Sequence, residues 1–114
     1  MKLAAFSLLV LATSAFAQTQ QEMNREAAAD FAKADTALNK LYTKVLATLD
    51  DEGKKKLKAA QRAWVVFRDA EADLQADSGA RGGSMAPMIY DGTRATLTNE
   101  RIKALKEVLE NSER

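Results

Sequence analysis

Apolar residues recur every three or four positions along most of this chain, which is the spacing of one face of an α-helix. A polar break with a turn glycine, Asp50–Gly53, ends the longest such run. The pattern predicts a first helix from about Gln21 to Leu49. The positions that carry this prediction are Met23, Ala27, Phe31, Asp35, Leu38, Tyr42, Val45 and Leu49.

A second helix is predicted directly after that break, from about Asp51 to Ala76. Asp51 and Glu52 suit its beginning, because the N-terminus of a helix is electropositive. One side of this helix is expected to face the rest of the protein. That side carries Leu57, Gln61, Trp64, Phe67, Arg68, Glu71 and Leu74.

A glycine-rich segment separates the second and third helices. Residues 77–83 hold three of the five glycines and no apolar side chain larger than alanine, which predicts a flexible loop. Ser84 suits an N-cap and Pro87 a first helical turn, so a third helix is expected to run to about Glu110. Short connections make consecutive helices antiparallel neighbours. The chain is therefore predicted to be all-α, an antiparallel three-helix bundle or hairpin array.

The first 17 residues have the order of a secretory signal peptide. A positive start, Met1–Lys2, precedes a largely apolar run, Leu3–Phe16, and a small-residue cleavage pattern, Ala15–Ala17. The apolar run is shorter than the roughly 20 residues that span a bilayer. We predict a signal peptide over residues 1–17, a single domain over residues 18–114, a periplasmic or secreted location and no stable membrane insertion.

The composition removes several kinds of chemistry. The chain has neither histidine nor cysteine, which excludes the common nucleophilic triads and a nitrogen or sulfur zinc site. Removal of Lys2 takes the formal net charge from +1 to zero, so nucleic acid is not attracted over long range. The acids Asp69, Glu71 and Asp73 are too close in sequence to form an opposed catalytic pair. We expect no enzyme, no cofactor, no metal and no nucleic-acid partner.

Polar and aromatic side chains are predicted to meet between the first two helices. Pairing these helices about the turn that joins them brings three residues of one face against three of the other. The opposed pairs are Asp35 with Arg68, Asn39 with Trp64, and Tyr42 with Gln61. Asp35 and Arg68 are expected to form an ion pair, and Trp64 is expected in the core. The set is either a polar site or, as we favour, a buried network that fixes the helix register.

These stretches also resemble a known family. Residues 35–42 and 61–71 resemble the two signature stretches of the LprI-type lysozyme-inhibitor family, and residues 83–88 and 98–101 resemble its third segment. The resemblance covers essentially the whole chain after the predicted signal peptide. It implies an all-helical bacterial envelope protein with lysozyme inhibition as its activity. Many members carry cysteines that look like staples between helices, and this chain has none. The most specific positions are Gln61, Trp64, Phe67, Arg68 and Asp69.

Two functions are compatible with these features. The first is a protein-binding module that inhibits a lysozyme or another envelope hydrolase, and the second is a structural or stress-related envelope protein without an inhibited enzyme. For the first, we expect the contact in the second loop and the following turn, where flexible, small and aromatic side chains occur together. Its candidate residues are Arg81, Ser84, Met85, Met88 and Tyr90. The alternative is that the methionines and the tyrosine only close the end of the bundle.

Overall fold

The structure is a computed structural model that describes the backbone from Lys2 to Arg114 and the side chains from Thr19 onward. The predicted signal peptide, residues 1–17, lies outside the part whose side chains are described. Within the described part, no helix has both the length and the apolar character needed to cross a bilayer.

Three helices make up the described chain, and no strand occurs between residues 2 and 114. They are α1 (Lys2–Thr48), α2 (Asp51–Ala80) and α3 (Ala86–Ser112). The predicted all-α class and the number of helices are therefore confirmed. The beginning of α2 is also where the sequence places it. The Asp50 side chain accepts a hydrogen bond of 2.8 Å from the backbone N–H of Gly53, which satisfies a donor that the helix itself leaves unpaired.

The second connection is shorter than predicted, because α2 continues through most of the glycine-rich segment. Gly79 is helical, and a Cβ at this position would lie 2.9 Å from Cδ1 of Ile89. Glycine therefore allows α2 to pass close to α3, which compensates for its poor helix propensity. The chain turns at Gly82, where φ is 64°, a backbone conformation that glycine adopts without strain.

The beginning of α3 differs from the prediction in its capping residue. Met85, and not Ser84, occupies the N-cap, and its side chain makes no capping hydrogen bond, while Pro87 lies in the first turn as expected. The backbone carbonyl of Ser84 instead accepts a hydrogen bond of 3.2 Å from Nδ2 of Asn24. This bond attaches the turn to α1, so the turn is held by tertiary contact as well as by its own backbone.

The packing of the helices corrects a second expectation. Helix α3 packs along both α1 and α2, whereas the backbones of α1 and α2 approach each other closely at few places. The first two helices therefore do not form the closely packed hairpin that the short connection predicted. Their polar faces are separated enough for side chains of α3 to enter between them.

The core has a leucine-rich half near the first connection. Leu38, Val45, Leu57 and Leu105 are buried there, with contributions from all three helices. In the other half the buried apolar residues are small, so the helices approach each other over alanine side chains. Those residues are Ala27, Ala34, Ala72 and Ala95.

The inward face of α2 is narrower than predicted. Its buried or half-buried positions include Leu57, Trp64 and Arg68, but Phe67 and Leu74 are 54% and 58% exposed. The prediction placed both apolar residues inward and is wrong for them. Because α3 is the main neighbour of α2, one side of α2 is covered, and Phe67 and Leu74 lie beyond the edge of that side in water.

Candidate functional site

A cluster of arginines, aromatic rings and aspartates joins the three helices beyond the leucine-rich half of the core. Arg68 of α2 lies at its centre, and its side chain is only 7% exposed. Its Nη1 lies 3.4 Å from Oδ1 of Asp35, and its Nε donates a 2.9 Å hydrogen bond to Oδ1 of Asp69. The predicted contact with Asp35 is therefore present. It is not the bidentate pair that two facing helices would allow, because Arg68 is shared between two acids.

Arg68 also faces two aromatic rings. Its Cζ lies 4.9 Å from the centroid of the Phe31 ring and 5.1 Å from that of Trp64. Trp64 was expected in the core, but it is half-buried and packs against the edge of the leucine-rich half. A guanidinium over a ring face is attracted by the negative face of the ring. The indole therefore serves as a platform for a cation as well as an apolar contact.

Arg94 of α3 is the second cation of the cluster, and it was not among the residues predicted from the sequence. Its Cζ lies 3.6 Å from the Phe31 centroid and 4.6 Å from the Tyr90 centroid. Its Nη2 donates a 2.8 Å hydrogen bond to Oδ1 of Asp91, and its Nη1 lies 3.8 Å from Oδ1 of Asp69. Asp69 is thus shared by Arg68 and Arg94, and Phe31 lies between the same two guanidiniums.

Arg101 of α3 completes the cluster and changes the expected pairing of Gln61. Its Nε donates a 3.0 Å hydrogen bond to Oε1 of Gln61, and its Cζ lies 5.8 Å from the Trp64 centroid. Burial lowers the pKa of Arg101. Within the described part of the chain, the side chains of Tyr42 and Asn39 make no hydrogen bond, and Asn39 is exposed. The polar contacts therefore join three helices, whereas the prediction paired two.

The cluster is balanced in charge, and most of its polar atoms have partners, although Nε of Arg94 is buried without a hydrogen-bond partner. Three guanidiniums face three carboxylates, and each carboxylate lies within reach of at least one guanidinium. Within the described residues, no group of three or more acidic side chains could hold a metal ion. The arrangement is suited to holding the three helices together.

Three of the six residues that the prediction placed in a buried seam line an open groove instead. This groove has a volume of about 710 Å³ and lies between α1 and α2. Asn39, Tyr42 and Gln61 contribute polar atoms, and Lys58 and Arg62 contribute positive charge. The groove exists because α1 and α2 diverge where α3 occupies the space on their other side.

The residues predicted to bind a partner fall into two groups. Arg81, Ser84 and Met85 are exposed in the turn between α2 and α3, which we call the tip. Met88 and Tyr90 lie farther along α3 and are half-buried, and the Tyr90 ring lies against Arg94. The structure therefore brings three of the five together at an accessible place. The other two form part of the packing between helices.

Arg81 is held in position by its own helix. Its Nε and Nη2 each donate a 2.9 Å hydrogen bond to the two carboxylate oxygens of Asp77. This contact lowers the pKa of Asp77 and raises that of Arg81. The Arg81 side chain remains 82% exposed. The tip therefore presents an oriented cation beside an exposed methionine.

The family model described as "Lysozyme inhibitor LprI" matches residues 12–105. The chain belongs to the LprI lysozyme-inhibitor family. The matched region includes the whole arginine–aromatic cluster and the tip, so both features lie within the family domain.

Two individual proteins are similar to the chain. A protein of Rhizobium meliloti (strain 1021), described as uncharacterized, is 39% identical over 110 residues, which is 85% of this chain and 78% of that protein. The crystal structure of a DUF1311 family protein from Pseudomonas putida KT2440 has a TM-score of 0.68 at 19% identity, covering 78% of this chain and 92% of that one. The second comparison supports the three-helix fold and nothing beyond it.

Proposed function

We propose that this protein is a periplasmic or secreted protein-binding module that inhibits a lysozyme or a related cell-wall hydrolase. Membership of the LprI family supports the inhibitory activity, and the predicted signal peptide supports the location. The observation that carries the proposed binding mode is the tip. There a cation and a flexible apolar side chain, Arg81 and Met85, are exposed together at the end of two packed helices.

The chemistry of the proposed target fits this tip. Glycosidases such as lysozyme cleave with a pair of carboxyl groups that face each other across a cleft. A guanidinium is the side chain best suited to a carboxylate, because it donates two parallel hydrogen bonds. Arg81 projects from a narrow turn that could enter a cleft, and Met85 beside it can adapt to an apolar wall.

The rest of the surface is less suited to such a contact. The arginines of the cluster are buried or half-buried, whereas the Arg81 side chain stays 82% exposed although it is paired with Asp77. Long charged side chains cover most of the exposed helix faces, and these are depleted in the centres of interfaces. Binding residues are generally found on loops that a rigid scaffold holds in place. The tip is such a loop, because it is a short exposed turn between two packed helices.

The test is a titration of the purified protein against a lysozyme, with lysis of a cell-wall suspension as the readout. We expect inhibition by the unsubstituted protein and at least a tenfold weaker inhibition by the double variant Arg81→Ala/Met85→Ala. The matched control is Lys44→Ala/Val108→Ala, which removes one cation and one exposed apolar side chain near the opposite end of the bundle. Circular dichroism verifies that each variant is folded.

Two results would contradict the proposal in different ways. Undiminished inhibition by the folded tip variant would remove the tip from the contact while leaving inhibition in place. Absence of inhibition by the unsubstituted protein, tested against lysozymes of several types, would favour a structural or stress-related envelope protein instead.

A further inference from the structure

We propose that the outer face of α2 binds a second copy of this chain, with the two α2 helices antiparallel. This face carries large apolar side chains that the monomer leaves in water. Val66 is 71% exposed, Phe67 54% and Leu74 58%. Contiguous exposed apolar surface of this kind is typical of an interaction site.

The exposed apolar residues form a continuous stripe along the helix. Small exposed residues lie between the large ones, at steps of three or four positions, which is the spacing of a helix–helix seam. The inward residues of α2, such as Arg68 and Ala72, lie on a different side of the helix and are buried. The stripe consists of Ala59, Ala63, Val66, Phe67, Ala70 and Leu74.

The distribution of charge along α2 indicates that the partner of this stripe is a second copy of the same helix. Residues 54–62 contain five lysine or arginine residues and no acid, whereas residues 69–77 contain four acids and no cation. A second α2 laid antiparallel places each basic half against an acidic half, and a parallel one places like charges together. A two-fold symmetric interface requires a surface that is complementary to itself in this way.

One register satisfies the apolar and the charged residues together. A two-fold axis between Val66 and Phe67 brings Val66 of one copy against Phe67 of the other. By the same symmetry Ala63 faces Ala70, so small residues allow close approach on both sides of the axis. The remaining facing pairs are Ala59 with Leu74 and, along one edge of the stripe, Arg62 with Asp73. Residues eleven apart lie on the same side of a helix, so both members of this charged pair border the stripe on one edge.

The monomer leaves the central charged pair available for this contact. Among the described residues, neither Arg62 nor Asp73 forms an ion pair. Both side chains are exposed. In the dimer the Arg62–Asp73 contact would occur twice, once on each side of the axis.

This arrangement leaves the proposed inhibitory site free, a consequence that rests on the function proposed above. Arg81 lies about 15 residues from the axis, or roughly 22 Å along a helix. The two tips would therefore point in opposite directions at the two ends of the paired helices. A dimer could then bind two hydrolase molecules.

The first test measures mass by sedimentation equilibrium over a range of protein concentrations. We expect a monomer–dimer equilibrium for the unsubstituted protein, and a dissociation constant at least tenfold higher for Val66→Glu. Lys106→Glu, which changes an exposed side chain of α3, is the matched control and should dimerise normally. A protein that is monomeric at every concentration overturns the proposal, as does a dimer unaffected by Val66→Glu.

The register has its own test, based on charge reversal. Arg62→Glu and Asp73→Arg should each weaken the dimer, because each creates two like-charge contacts across the axis. The double variant Arg62→Glu/Asp73→Arg should restore it to within about threefold, since both pairs are re-formed with reversed polarity. Failure of the double variant to recover, with its fold intact by circular dichroism, overturns the antiparallel register.

Disulfide trapping provides a measurement that does not depend on the strength of the dimer. The chain contains no cysteine, so an introduced thiol has no competitor. Ala63→Cys mixed with Ala70→Cys should give a crosslinked heterodimer under mild oxidation, faster than either variant alone. Equal rates for the mixture and the single variants would contradict the facing of these residues. Retained lysozyme inhibition by monomeric Val66→Glu would show that self-association and inhibition are separate properties.

Discussion

The guanidinium carbon of Arg94 lies 3.6 Å from the centroid of the Phe31 ring, so a cation of α3 stacks on a ring of α1. Arg68 of α2 approaches the same ring to 4.9 Å. All three helices therefore converge on one half-buried phenylalanine. The cluster stabilises the half of the bundle in which the buried apolar residues are small and contribute little hydrophobic burial.

Phe31→Leu is expected to lower the free energy of unfolding by about 2 kcal/mol, because it removes the ring face that two guanidiniums share, each contact being worth roughly 0.5–2 kcal/mol. Urea denaturation at low protein concentration measures the change. The matched control is Phe67→Leu, in which the ring is exposed, and its cost should be below about 0.5 kcal/mol. Equal costs for the two variants would show that stacking on Phe31 contributes nothing measurable.

The sequence predicted the helices well and their packing less well, for a physical reason. Hydrophobic periodicity shows which residues share a face, but it does not show which helix covers that face. Asp35 and Arg68 could be matched because the short first connection limits their relative positions. Arg94 and Arg101 could not be matched to their partners from the sequence. The register of α3 depends on the second turn, which begins later than the glycines of residues 77–83 indicated. The spacing of seven between these two arginines on one helix, with Asp91 three residues before Arg94, was the available signal.

Two substitutions of Arg68, to alanine and to lysine, distinguish the stability contributed by its charge from that contributed by its packing. Arg68→Ala does not leave a fully buried charge without a partner, because Asp35 and Asp69 are 38% and 40% exposed and can be hydrated. We therefore expect a cost of about 2–4 kcal/mol, caused mainly by lost packing on the two rings. Arg68→Lys should still cost about 1–2 kcal/mol, because an ammonium cannot stack on the rings while bonding to two acids.

The measurement is again chemical denaturation, with Arg25→Lys as the control at an exposed arginine of α1. That control should change the free energy of unfolding by less than about 0.5 kcal/mol. If Arg68→Lys changed the free energy of unfolding as little as the control does, the planar guanidinium would not be required. The positive charge at this position would then be sufficient to stabilise the cluster.

Thr98 of α3 is fully buried, and its hydroxyl oxygen has no hydrogen-bond partner. A buried hydroxyl without a partner costs roughly 1–3 kcal/mol. Thr98→Val keeps the shape and removes this cost, so the free energy of unfolding should rise by about 1 kcal/mol. Thr96→Val, at an exposed position two residues earlier, is the control for the change in helix propensity. A loss of stability specific to Thr98→Val would show that the hydroxyl is bonded in solution.

The contact between Asp77 and Arg81 at the tip should be visible as a pH effect. The Arg81 guanidinium lowers the pKa of Asp77 below its ordinary value of 3.8. The contact therefore contributes stability above pH 3.8, and this contribution is lost as the pH falls through the lower pKa of the folded protein. Arg81→Gln should move the NMR titration midpoint of the Asp77 carboxyl upward and remove this part of the pH dependence. In an Asp77→Asn background the same change should have no effect on the acid limb of stability. Identical Asp77 midpoints with and without the guanidinium would mean that Arg81 is not held, and that the tip presents a mobile cation to its partner.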